Sequence, residues 1–105
     1  MKCVVIEKPG KVYLSERELP TLSKGFARIK VMAAAICATD LEVVDGNIPA
    51  NYPLTPGHEW SGIVVEVDDP RDSRWIGKRV TGSNDVTCGV CDACRSGNWR
   101  YCKDF

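Results

Sequence analysis

No charge of either sign is in excess in this sequence. Fourteen basic residues balance fourteen acidic ones. No net field therefore draws the chain to nucleic acid or to an anionic membrane. Phosphate recognition normally leaves a basic excess, which is missing here. Long apolar runs are missing too. The N-terminus reads MKCVVIEKPGK, and its apolar run from Cys3 to Ile6 is stopped by Glu7. That is too short for a signal-peptide core. No segment approaches the roughly 18 apolar residues that a membrane-spanning helix needs. There is no internal repeat, no low-complexity tract and no G-x-G-x-x-G, so the sequence offers no dinucleotide fingerprint. Histidine occurs once, as His58. These absences point to one cytoplasmic domain with neither nucleic acid nor membrane as a partner.

What is present is ordinary globular composition, 44% hydrophobic and 27% charged over 105 residues. Most of it reads as strands. Lys2 to Glu7 is a β-branched run that meets the Pro9-Gly10 turn signal, and Lys11 to Arg17 is its expected antiparallel partner. From Ala27 to Ala33 the residues alternate, which predicts a strand burying Ala27, Ile29, Val31 and Ala33. ATDLEVVDG predicts a short helix. Thr39 and Glu42 have capping-box spacing, Leu41 and Val44 share a face, and Gly46 is the stop. Three prolines and two asparagines mark Asn47 to Gly57 as loop. Glu59 to Asp68 alternates again, with Ile63, Val65 and Val67 on one side. Asp69 to Ser73 reads as a polar turn, and Gly77-Lys78-Arg79-Val80 as a turn entering a short strand.

After Ser83 the periodicity ends and CGVCDACRSGNWRYC follows. Its spacing, C-x2-C-x2-C-x7-C, lets Cys88, Cys91, Cys94 and Cys102 converge on one tetrahedral ion. Zinc takes four thiolates in closed structural sites. Residues 85–105 are too few and too polar to bury a core, so metal binding has to stand in for one. Arg95, Arg100 and Lys103 offset thiolate charge. Two disulfides, free thiols or a redox C-x-x-C are the other readings. A reducing compartment and the lack of a βαβ context weigh against them. Four thiolates leave no open position, so such an ion is structural.

A second set is quieter. Cys37 lies near the end of the Ala27 strand, and His58-Glu59 opens the later one. Cys, His and Glu are ligand types of catalytic zinc. Singly, a lone cysteine is more often a small core hydrophobe, and a histidine beside a glutamate usually means little.

Together, Cys37-Ala38-Thr39-Asp40 and Gly57-His58-Glu59-Trp60-Ser61-Gly62 resemble the zinc-dependent medium-chain alcohol and polyol dehydrogenases. That family combines C-x-[ST]-D, G-H-E-x-x-G and the four-cysteine lobe in this order. Gly77-Lys78-Arg79-Val80 resembles its G-D-R-V turn. The resemblance implies a mainly β fold: a GroES-like, partly open β-barrel with a short helix and a zinc-stabilised cysteine lobe. It implies that Cys37 and His58 bind a catalytic zinc, with Glu59 a direct or alternating ligand. Asp40 would orient the His58 imidazole, and Thr39 would contact the substrate hydroxyl and relay its proton, besides serving as a helix N-cap. The implied reaction is hydride transfer from a zinc-bound alcohol or polyol to NAD(P). The family's Rossmann domain, its nicotinamide site and a further zinc ligand are not found in these 105 residues. The chain alone is therefore expected to be inactive, and a non-catalytic zinc-binding or interaction module on the same fold is the alternative. Missing strand partners leave open edges, through which a homo-oligomer is expected.

Overall fold

The computed structural model describes residues 1–105. Strands β1 (Lys2–Lys8) and β2 (Lys11–Glu16) form an antiparallel hairpin around Pro9 and Gly10. A second antiparallel sheet has the order β3 (Ala27–Ala35), β4 (Glu59–Val67), β5 (Arg79–Val80). Helix α1 (Ala38–Asp45) connects β3 towards β4. A 3-10 turn over Pro70–Trp75 joins β4 to β5, and its N-cap, Asp69, accepts the Arg71 N–H at 2.9 Å. The cysteine lobe holds one short helix, α2 (Asp92–Arg95), and a 3-10 turn at Trp99–Tyr101. The fold is mostly β, with two open sheets and no closed barrel. No helix is long and apolar enough to cross a membrane.

Three backbone links tie the hairpin to the rest. The Ile6 N–H donates to the Leu54 carbonyl at 2.8 Å, and the Leu54 N–H donates back to Ile6 at 3.0 Å. The Gly10 N–H donates to the Val44 carbonyl of α1 at 2.8 Å. Gly46 ends α1 in the left-handed region, φ 78°, and the Gly46 and Asn47 N–H groups take the Val43 and Glu42 carbonyls. A Cβ at Gly46 would also meet Pro9 Cγ at 2.9 Å, so glycine serves both the cap and the docking of the hairpin.

The buried centre is small. Val5 and Ile6 are fully buried and Val64 is 3% exposed. The radius of gyration is 15.7 Å. A compact chain of this length is expected near 13 Å. Much apolar surface stays open, including Leu14, Phe26 and Ile36.

Two expectations are corrected, one on the Ala27 strand and one on the cap of α1. The Ala27 strand does not bury its apolar side, since Val31 is 56% exposed. Its pairing with β4 slips at Arg28/Ile29 and again at Val31/Ala33, which breaks strict alternation. In β4 the buried side is Gly62 and Val64, while Val65 is exposed. The close approach of β3 to Gly62 explains this. A Cβ there would sit 2.5 Å from the Lys30 carbonyl oxygen. Finally, Thr39 is not the N-cap of α1. Cys37 takes that position with extended backbone (φ −92°, ψ 156°), and Glu42 instead accepts from the Asn47 side-chain amide at 2.9 Å.

Candidate metal centres and active site

Strand pairing brings the quiet set together. Ala35 of β3 is in register with Glu59 of β4, so both chains turn at one end of the sheet. Cys37 follows β3 after a single residue, Ile36, and His58 precedes β4 directly. One donor atom from each of Cys37, His58 and Glu59 lies within 4.8 Å of the others.

Asp40 organises this corner. As the third residue of α1, its carboxylate reaches back over the N-terminus. Oδ2 accepts the Cys37 backbone N–H at 2.9 Å, and Oδ1 lies 3.3 Å from His58 Nδ1. Its side chain is only 14% exposed. A carboxylate on Nδ1 holds the imidazole proton there and leaves the Nε2 lone pair free for a metal. The Thr39 hydroxyl oxygen accepts from the Cys37 thiol at 3.7 Å, a sulfur contact in this reduced form. Thr39 and Asp40 therefore both adjoin the Cys37–His58–Glu59 set.

A cleft of about 480 Å³ opens beside His58 and Glu59. Ser61, Thr81 and Asn84 line it with polar groups, and Ala33 and Ala35 with small apolar ones. No motif points to Ser61, Thr81 or Asn84 in the sequence. They meet because β5 pairs with β4, a long-range contact with no local signal. Thr81 is fixed by donating to the Trp60 carbonyl at 2.6 Å.

The other set is made of sulfur alone. Sulfurs of Cys88, Cys91, Cys94 and Cys102 all lie within 4.8 Å of one another, with Cys88 and Cys94 at 4.0 Å. All six cysteines of the chain are reduced. Amides point at the cluster. The Cys88 and Asp104 N–H groups donate to the Cys102 sulfur, and the Cys91 N–H donates to the Cys88 sulfur, each at 3.4 Å. The amides of Cys94 and Lys103 lower the Cys91 thiol to about 6. Those of Cys88 and Asp104 lower Cys102. The Thr87 hydroxyl favours the Cys94 thiolate, yet burial and bonding to the Cys91 and Cys102 thiols push Cys94 up to about 11. Backbone amides thus favour the thiolate form at Cys91 and Cys102, the form that binds a metal. Four convergent sulfurs suit a tetrahedral zinc, and the mixed S, N and O set suits a zinc with an exchangeable position.

Residues 23–105 match the alcohol dehydrogenase GroES-like domain. The chain belongs to this family. Starvation-sensing protein RspB of Escherichia coli K12 is 40% identical over 103 residues, which are 97% of this chain and 30% of that protein. Sorbitol dehydrogenase of Bacillus subtilis is 32% identical over 108 residues, 99% of this chain and 31% of that protein. The crystal structure of RspB from E. coli CFT073, an alcohol dehydrogenase complexed with NADH, aligns at TM-score 0.87 and 38% identity. That alignment covers 97% of this chain and 30% of the RspB chain. Zinc-dependent alcohol dehydrogenase 2 from Streptococcus pneumonia aligns at TM-score 0.86 and 31% identity, over 99% and 30% of the two chains. This GroES-like domain thus spans about 30% of the length of its relatives.

Proposed function

We propose that residues 1–105 form the zinc-binding, GroES-like part of an NAD(P)-dependent alcohol or polyol dehydrogenase, with residues 85–105 as its structural-zinc lobe. The observation that carries this reading is the convergence of Cys37, His58 and Glu59 at a corner braced by Asp40. The relatives named above include an alcohol dehydrogenase complexed with NADH and a sorbitol dehydrogenase, which favour the same reaction class.

In this reading Cys37 and His58 would hold the catalytic zinc, with Glu59 as a direct or alternating ligand. When bound, zinc supplies Lewis acidity that makes a nearby hydroxyl a stronger acid. Asp40 keeps the His58 ring oriented and its Nε2 available. Thr39 carries a hydroxyl that can accept a proton from substrate and donate its own onward, since it is both acceptor and donor. The cleft beside His58 admits a small hydroxylated substrate, with Ser61, Thr81 and Asn84 available to its other hydroxyl groups. Cys88, Cys91, Cys94 and Cys102 hold the structural zinc.

The competing reading is a non-catalytic zinc-binding or interaction module. Fusing this segment to the remaining sequence of an RspB-like relative separates the two. Nicotinamide reduction by an alcohol or polyol, lost on His58→Ala, supports the enzyme. A folded, zinc-loaded fusion that binds NAD(H) but is inert to a broad alcohol and polyol panel supports the module.

A further inference from the structure

The hairpin leaves one backbone edge open, and the phase of that edge is fixed at two places. The Met1 ammonium donates to the Arg17 carbonyl at 2.6 Å, and the Arg17 N–H donates back to the Met1 carbonyl at 2.8 Å. Antiparallel partners alternate between pairs that exchange two such bonds and pairs that exchange none. Counting along the register from Met1, Cys3–Ser15 and Val5–Tyr13 exchange bonds, whereas Val4–Leu14 and Ile6–Val12 do not. Ile6 agrees, since its N–H and carbonyl both go to Leu54 on the far side of β1. The N–H and carbonyl groups of Val12, Leu14 and Glu16 therefore point away from β1, where no strand meets them. The Glu16 carbonyl takes only the Ser15 hydroxyl, at 3.4 Å. The side chains of Val12, Tyr13 and Leu14 are exposed as well.

The edge complements itself. Lys11 stands at one end of β2 and Glu16 at the other, so antiparallel pairing of two copies brings unlike charges together. Directly opposed residues either bond each other or both face away, so a symmetric pairing must be centred on a residue. Centring on Leu14 opposes Lys11 with the partner's Arg17 and Val12 with the partner's Glu16. Centring on Tyr13 opposes Lys11 with the partner's Ser15, Val12 with the partner's Leu14 and Tyr13 with the partner's Tyr13. Only the second register sets no like charges against each other, and it adds aliphatic and aromatic cross-strand pairs. We propose that β2 pairs antiparallel with β2 of a second copy about a two-fold axis at Tyr13, giving a continuous four-stranded sheet. Val12 and the partner's Leu14 exchange backbone bonds, twice by symmetry, and the two Tyr13 side chains meet on one face. The contact is small, so the dimer dissociates on dilution. The pairing does not rest on the zinc reading above.

The test uses the 105-residue chain, purified with zinc and kept in reductant so that no cysteine links two copies. Sedimentation equilibrium should show a reversible monomer–dimer equilibrium. Isotope-filtered NOEs between labelled and unlabelled wild-type copies should join the Val12 methyls to the partner's Leu14 methyls. Tyr13→Lys and Tyr13→Glu each set like charges across the axis and should raise the dimer dissociation constant about tenfold. Mixing the two variants in equal amounts should restore the dimer, which simple damage to the fold would not allow. A wild-type chain that stays monomeric at high concentration overturns the inference. So does a dimer whose filtered NOEs join other residues, even if the Tyr13 variants fail to fold. Folded variants that still dimerise alone, or that gain nothing on mixing, overturn the register about Tyr13.

Discussion

Asp40→Asn removes charge from the corner while keeping its shape. Asp40 now serves two donors with two oxygens, the Cys37 N–H at 2.9 Å and His58 Nδ1 at 3.3 Å. Asparagine has one acceptor oxygen, so one donor must be left. The Cys37 N–H is the shorter contact and lies within the same turn, so it keeps the oxygen. His58 then faces an amide NH2 and loses its orienting acceptor. Loss of such a partner typically weakens metal binding 10- to 100-fold, about 1.4 to 2.8 kcal/mol. The helix keeps its N-terminal contact, so global stability should change by less than about 1 kcal/mol. Asp40→Ala forfeits both contacts and should lose about 1 kcal/mol more of stability. Equilibrium competition against a chelator of known zinc affinity reads the first effect, and thermal unfolding reads the second. The weaker of two zinc equivalents should shift and the tighter one should not. An unchanged weaker site in a folded Asp40→Asn chain would refute the role given to Asp40.

Other expectations follow from single contacts. Cys91→Ser should cost the lobe its zinc and make residues 85–105 protease-sensitive while sparing β3. Retained zinc and protease resistance would contradict a structural site. Gly62→Ala places a Cβ 2.5 Å from the Lys30 carbonyl oxygen and 2.6 Å from Ile29 Cγ2. It should destabilise the chain by about 1–3 kcal/mol, read by denaturant melts. Zinc affinity at both sites should fall as pH drops from 7 to 5, because protons compete for thiolates and imidazole; a flat chelator titration would count against sulfur ligation. Free edges on β2 and β5 predict concentration-dependent self-association, and sedimentation showing a monomer at high concentration would remove that expectation.

Local signals made part of this molecule legible. The Pro9-Gly10 turn, the Gly46 helix stop and the 3-10 turn capped by Asp69 follow from residues adjacent in sequence. The cysteine lobe was readable because four cysteines within fifteen positions are close enough in sequence to converge. What failed were inferences about burial and about the cap of α1. Val31 has a strand-like pattern, yet it stays 56% exposed. Thr39 and Glu42 have capping spacing, but Asp40 engages the Cys37 N–H instead and places the N-cap at Cys37, two residues before Thr39. The cleft residues Ser61, Thr81 and Asn84 depend on the β4–β5 pairing, whose short second strand carries almost no periodicity. Cys37, His58 and Glu59 were visible only as motif fragments, and the Ala35–Glu59 register supplies the geometry that unites them.

The most direct test of the account is the number of zinc ions per folded chain, measured by elemental analysis of wild type, His58→Ala and Cys91→Ser. The account predicts two for wild type and one for each variant, with the two losses at different sites. A wild-type chain that binds one zinc, unaffected by His58→Ala, would contradict the assignment of Cys37, His58 and Glu59 as a metal centre.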